Sequence, residues 1–209
     1  MPGVRHCLLF DLDGVLIDSW DVARSAFVGA CAEIGSDGEE LVSGFRDRLG
    51  RPIEDIARQL GLPAGFGETF RTHARRLDHL AVPLDGVVEL LAGLRSLGCL
   101  IGVVTGKDRA RSLSVLASCG LIAHVDALVA GDEGPGKPAP DPLLLCLDRL
   151  GAPLCHGFVG DTATDMEAAR QARVPAILAL WGGAPPVPCD LLLSRPRDVA
   201  ELIGMAQAP

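Results

Sequence analysis

Asp11 and Asp13 stand two positions apart, directly after the apolar run Val4 to Phe10 and just before Gly14. Two carboxylates ~4 Å apart at an effective dielectric of ~20 repel by about 4 kcal/mol, so such a pair calls for a cation or a shared proton. An ordinary exit from a strand into a turn accounts for the same residues, since Asp and Gly are common there. A second acidic pair, Asp161 and Asp165, follows Gly160. Hard oxygen donors with no His or Cys beside them suit Mg²⁺; helix capping explains one of the two acids but not both. Thr105, Gly106 and Lys107 close another apolar run. They offer a hydroxyl, an open backbone and a helix amino end, which suits a phosphate and suits a capped helix equally. Lys137 sits between Gly134-Pro135-Gly136 and Pro138-Ala139-Pro140, a stiff loop presenting one cation. A solvated surface lysine is the alternative there.

These residues need a scaffold that brings them to one edge. Short runs rich in Val, Ile and Leu alternate with segments of helical period, the pattern of an α/β protein with a parallel sheet. The expected strands are Val4 to Phe10, Cys99 to Val104, Ala127 to Ala130, His156 to Val159, Ala176 to Leu180 and Asp190 to Leu193. Val87, Leu90, Leu91, Leu94 and Leu97 mark one helix, and Leu113, Leu116 and Cys119 form the stripe of another. Further helices are expected over Asp141 to Leu150, Thr164 to Arg173 and Arg197 to Met205. Residues 19–80 break the alternation with helix-like pieces punctuated by Gly and Pro. The expected organisation is a catalytic core of residues 1–18 and 81–209 with a helical cap of residues 19–80. Inserted after the first strand, the cap would overhang the carboxyl edge of the sheet, where open α/β folds bind ligands.

Composition narrows the partners. Nineteen Lys and Arg against 27 Asp and Glu give a net charge of −8, which disfavours nucleic acid and anionic membrane surfaces. An acidic chain that handles an anion must then concentrate positive charge locally. The seven cysteines are odd in number and contain no C-x-x-C pair, so they read as small buried hydrophobes in a reducing compartment. The start of the chain lacks a signal-peptide pattern and no apolar stretch is long enough for a bilayer, so a cytoplasmic protein is expected. The five histidines have no ligand-like spacing, and Trp181, in a Gly-rich loop, reads as an anchoring aromatic.

The order Asp-x-Asp-Gly, then Thr after a second strand, then Lys-Pro, then Gly-Asp-x-x-x-Asp resembles the haloacid dehalogenase superfamily over nearly the whole chain. The resemblance implies a Rossmann-like core with a small helical cap and Mg²⁺-dependent hydrolysis of a phosphate monoester. It makes Asp11 the nucleophile that becomes an aspartyl-phosphate, and Asp13 the acid and base. Asp11, the Asp13 carbonyl and Asp161 would hold the metal, with Asp165 orienting its water. Thr105, the backbone near Leu12 and Gly106, and Lys137 would bind the phosphoryl group. Looser motifs, Thr105-Gly106-Lys107, Leu180-Trp181-Gly182 and Leu49-Gly50-Arg51-Pro52 among them, are similar to phosphoglycolate-phosphatase-like enzymes. Within that subgroup they are similar to phosphatases associated with 3-amino-5-hydroxybenzoic acid biosynthesis.

The implied partner is a small phosphorylated metabolite, a sugar or carboxylic-acid phosphate, with Arg48, Arg51 and Lys107 as candidates to reach its leaving group. Two alternatives stand beside this reading. Sugar phosphomutases of the same superfamily usually carry a cap histidine at a place that falls near Ala23 here, and a non-catalytic phospho-ligand-binding protein would retain the fold without turnover.

Overall fold

The computed structural model describes residues 5–151 and 153–206. Six parallel strands make the main sheet: β1 (His6–Phe10), β4 (Leu100–Val104), β5 (Ala127–Val129), β6 (Leu154–Gly160), β7 (Ala176–Ala179) and β8 (Leu191–Leu193), in the order β5-β4-β1-β6-β7-β8. The two remaining strands, β2 (Ile17–Asp18) and β3 (Val82–Pro83), pair antiparallel as a short ribbon. Val4 lies outside the described residues.

The central strands β1, β4 and β7 are buried on both faces because they are near-continuous apolar runs. In β1, Leu8 and Phe10 join a core with Ile101 and Val103 of β4 and with the apolar sides of α5 (Val87–Ser96), α6 (Arg109–Ser118) and α9 (Pro196–Ala206). Cys7 and Leu9 point the other way, into a core with Phe158, α7 (Asp141–Arg149) and α8 (Ala163–Ala172). The cysteines are free, and Cys7, Cys31, Cys99 and Cys146 are buried. Two details differ from the sequence reading. In α6 the buried positions are Arg111, Ser112, Val115 and Leu116, and Leu113 is exposed. Strand β6 begins two residues before His156, and its register against β1 shifts between Cys7 and Leu9.

Residues 20–77 form the helices α1 (Trp20–Glu33), α2 (Gly38–Arg46), α3 (Ile53–Gln59) and α4 (Phe66–Leu77), followed by a 3-10 turn at Asp78–Leu80. They close around their own core of Phe27, Phe45, Phe66 and Phe70, with the Phe27 and Phe45 rings stacked 4.2 Å apart. The β2–β3 ribbon carries the chain out of the α/β layer and back. Beside it Arg111 donates two hydrogen bonds to Asp78, at 2.9 and 2.7 Å, in an ion pair only 5% exposed on each side. A charge so deeply buried is tolerated only when paired, so this contact fixes where the helical layer meets α6.

The chain moves outward from β1 to β4 and β5, then crosses back to β6 on the other side of β1. Strand order therefore reverses at β1, and the crevice at its carboxyl end is where such sheets place ligands.

Candidate active site

Asp11 is the first residue beyond β1, and its N–H donates to Val159 O of β6 at 2.8 Å, which fixes its backbone to the neighbouring strand. Its side chain is buried. The Lys137 ammonium, also buried, lies 2.9 Å from Asp11 Oδ1 and donates to Asp165 Oδ1 at 2.6 Å. The residues flanking Lys137 thus present a cation to two carboxylates at the sheet edge, and the solvated-lysine alternative is excluded.

Asp165 serves the protein on both oxygens. Its Oδ2 accepts from Thr162 N at 3.0 Å and Thr162 Oγ1 at 2.5 Å, and Thr162 Oγ1 accepts in turn from Asp165 N at 3.2 Å. This reciprocal capping box starts α8. Helix capping and site chemistry, set out above as alternatives for this acidic pair, are here combined: Asp165 caps, and Asp161 is left to face Asp11.

Asp13 has different neighbours. Lys107 Nζ lies 3.0 Å from its Oδ1, and the Ser19 hydroxyl donates to the same oxygen. Thr105 is buried, with its Oγ1 accepting from Lys107 N at 3.1 Å. Leu12 is fully buried, so only its backbone is offered to the site. Gly14 holds φ at +77°, and a Cβ there would fall on the Asp161 carboxylate. Only glycine lets the turn after Asp13 pass that close.

The electrostatics separate the acids. Burial pushes the Asp11 carboxyl up to about 7, aided by the charges of Asp165 and Asp13 and opposed by Lys137. Asp161 is raised well above the ordinary carboxylate range by burial and by Asp165 and Asp11. Burial would raise Asp13 too, but Lys107 and the Ser19 hydroxyl outweigh it and hold that carboxyl low. Lys137 stays charged, because Asp11 and Asp165 outweigh the cost of its burial.

Oxygens of Asp11, Asp161 and Asp165 lie within 4.8 Å of one another. Asp161 Oδ1 is buried with no hydrogen-bond partner among the described residues, and Asp11 Oδ1, also buried, meets only the Lys137 ammonium at 2.9 Å. One buried acceptor without a partner, facing a second buried carboxylate, gives hard oxygen donors on two acids of raised pKa, so these residues fit Mg²⁺. Asp165 is already engaged on both oxygens, by Lys137 on one and Thr162 on the other.

Above the site, between sheet edge and helices, lies a cavity of about 960 Å³ that includes Asp11, Asp13, Thr105, Gly106, Lys107 and Asp161 in its lining. Arg51 lines it too. Arg48 does not: it donates to Gly44 O at 2.8 Å and Gln59 Oε1 at 3.1 Å, and so braces the end of α2 against α3. That corrects its expected reach to a leaving group. Lys107 is committed to Asp13. Sequence reasoning overlooked Arg46, Arg71, Arg75 and Arg111 in the cavity wall, because they lie in helices whose facing only tertiary packing decides. Trp181 does anchor its loop, donating from Nε1 to Val15 O at 2.9 Å.

A parallel sheet whose strand ends gather acids, a lysine and a threonine beneath a helical layer defines a hydrolase of the α/β class. The haloacid dehalogenase-like hydrolase profile matches residues 8–179, and the chain belongs to that family. It is a phosphatase, a phosphoric monoester hydrolase. It is 33% identical to a phosphoglycolate phosphatase of Aquifex aeolicus over 94% of this chain and 95% of that protein. It is 28% identical to an N-acetylmuramic acid 6-phosphate phosphatase of Pseudomonas aeruginosa over 95% of each. A hydrolase from Pseudomonas syringae shares the fold, with a TM-score of 0.80 at 23% identity over 97% of this chain and 99% of that one.

Proposed function

We propose that the protein hydrolyses a small-molecule phosphate monoester, with Mg²⁺, through a phosphoryl group carried on Asp11. The observation that carries this reading is the unpartnered Asp161 Oδ1 facing Asp11, whose own Oδ1 meets only the Lys137 ammonium, beside a fully engaged Asp165. The metal would be held by Asp11, the Asp13 carbonyl and Asp161, and when bound it supplies neutralisation of the attacking carboxylate and the phosphoryl oxygens.

This chain's own residues do the rest. Asp11 attacks phosphorus and the ester oxygen leaves. Lys137, held against Asp11 and Asp165, lowers the cost of gathering negative charge, while Thr105 Oγ and the backbone at Leu12 and Gly106 hold phosphoryl oxygens. Asp13 protonates the leaving oxygen, then removes a proton from the water that hydrolyses the aspartyl-phosphate. Lys107 keeps Asp13 ionised while no ester is present. An arriving phosphoryl group competes for Lys107, and losing that partner raises Asp13 in the direction that proton donation requires.

Ala23, half-buried in the cavity wall near where the mutases place a histidine, supports hydrolysis over phosphoryl transfer to a sugar. The helical layer of residues 19–80 acts as the cap that selects the leaving group. The related proteins differ in named substrate, phosphoglycolate for one and N-acetylmuramic acid 6-phosphate for another, so selectivity is set by the cap and not by the acids. The similarity to phosphatases associated with 3-amino-5-hydroxybenzoic acid biosynthesis rests on loop motifs and bears on the same choice. The reaction belongs in the cytoplasm.

Turnover of p-nitrophenyl phosphate with Mg²⁺, abolished by chelator, is the expected result. Asp11→Asn should lose at least about a thousandfold in kcat, the scale seen when a nucleophile is removed. Equal residual turnover in wild type and Asp11→Asn would refute the assignment.

A further inference from the structure

The helical layer is already seated on the sheet edge around the cavity. A Cβ on Gly106 would come within 2.8 Å of Gly50 O and 3.0 Å of Arg51 O, and one on Gly136 would meet the Pro52 ring. Gly50 lies equally close to Thr162, at 3.1 Å for the same added carbon. The loop from Leu49 to Pro52 is therefore in van der Waals contact with three of the loops that carry the site. The cavity of about 960 Å³ is the space that remains with that contact made.

This volume stands at the top of the range of roughly 300–1,000 Å³ in which proteins hold drug-sized ligands. A phosphoryl group with a two-carbon acid would leave most of it to water. Its apolar lining includes Trp20, Phe45, Leu49, Ile53 and Phe70. The arginines around it are mostly occupied. Arg111 pairs with Asp78, Arg71 with Glu54 and Glu68, and Arg75 with Glu68, while the Arg46 guanidinium lies over the Trp20 ring. Arg51 is half-buried and has no side-chain hydrogen bond or ion pair among the described residues. Its backbone sits against Gly106, at the phosphoryl end of the cavity.

Building on the phosphatase reading, we infer that the leaving group is an alcohol of ring size or larger, presenting an apolar face to Trp20 and its neighbours and a second anionic group to Arg51. A desolvated charge-assisted contact of this kind contributes about tenfold or more in affinity.

The test compares four alkyl phosphates of similar leaving-group chemistry, with Mg²⁺: ethyl phosphate, 2-phosphoglycolate, benzyl phosphate and 4-carboxybenzyl phosphate. Benzyl phosphate should exceed ethyl phosphate in kcat/KM at least tenfold, and the 4-carboxyl group should add about tenfold, mostly in KM. In Arg51→Gln the ratio between the two benzyl esters should collapse towards one. The matching phosphonates, which cannot be hydrolysed, are titrated calorimetrically in parallel and should rank in the same order. A preference for 2-phosphoglycolate would overturn the inference and leave the phosphatase reading intact. A carboxyl preference that survives in Arg51→Gln would overturn the role of that residue. Phosphonates ranked as expected with no ester turned over would instead uphold the inference about the site and overturn the phosphatase reading. Neither binding nor turnover would overturn both.

Discussion

Asp11 and Asp13 are two residues apart in the chain, yet each is governed by a different lysine, Lys137 for one and Lys107 for the other. That division was not legible in the sequence, which showed two acids and two lysines but not which would meet. The carboxylates themselves were legible because acids after an apolar run have few structural reasons to recur at two strand ends. Arg48 was misjudged for the opposite reason: its long side chain turns back onto Gly44 and Gln59, and nothing in the local pattern records that. The raised Asp11 carboxyl makes a prediction at this scale. Its folded value of about 7 exceeds the ordinary 3.8. The folded state therefore holds a proton that the unfolded state releases between those values, and this contribution to stability is full below 3.8 and lost as pH rises through 7. Asp161 adds in the same direction, whereas Asp13, held low, contributes above its ordinary value and loses that as pH falls. With chelator present, Tm should fall as pH rises from 5 to about 7.5. On the proposed reading Mg²⁺ is held by the ionised carboxylates, so the gain in Tm it gives should grow over the same interval. Thermal scans across pH with chelator and with Mg²⁺ check both slopes, and an Mg²⁺ effect that does not vary with pH would contradict the assignment of Asp11 as a ligand.

The strands and helices that position these residues were legible where burial on both faces leaves a continuous apolar run, as in β1, β4 and β7. They were less so at the edges. The β2–β3 ribbon has two residues in each strand, too few for any period to show, although it is the route between the two layers. In α6 the sequence favoured Leu113, but the helix buries Arg111 because Asp78 waits for it across the interface. The Leu49 to Pro52 loop is another contact that only the fold reveals. Gly106 opposite it does not hold a positive φ, so alanine is permitted by its backbone and the cost lies wholly in the close approach to Gly50 O and Arg51 O. Gly106→Ala should push that loop from the sheet edge and raise KM for p-nitrophenyl phosphate several-fold. The overpacking cost of about 1–3 kcal/mol would lower Tm by a few degrees without unfolding the core. Steady-state kinetics and calorimetry on the same preparation check this; an unchanged KM would mean that the loop does not shape the cavity.

At the scale of the whole molecule, the aromatic core of the helical layer shares no residue with the two cores that sandwich the sheet. Among the described residues the links between layers include the ribbon, the Arg111–Asp78 pair with Arg111 over the Phe70 ring, and the Leu49 to Pro52 loop, all narrow compared with either core. Two layers with separate cores and thin connections are expected to lose cooperativity when one core is weakened. The chain's two tryptophans fall one on each side. Trp20 stacks on Phe45 with ring centroids 6.4 Å apart, and Trp181 packs against the sheet core with its indole N–H on Val15 O. Phe45 is 1% exposed, so Phe45→Ala removes a buried ring and should cost about 3–5 kcal/mol within the helical layer. Trp20→Phe and Trp181→Phe backgrounds leave one reporter for each layer. In urea, Phe45→Ala should move the Trp20 transition to clearly lower denaturant and leave the Trp181 transition nearly in place. If Mg²⁺ is held at the sheet edge as proposed, it should stabilise the Trp181 transition with or without Phe45→Ala. Coincident shifts of both reporters would instead show that the ribbon and the buried ion pair weld the layers into one cooperative unit, in which case the cap cannot move independently of the acids beneath it and exchange of substrate must proceed through the open side of the cavity.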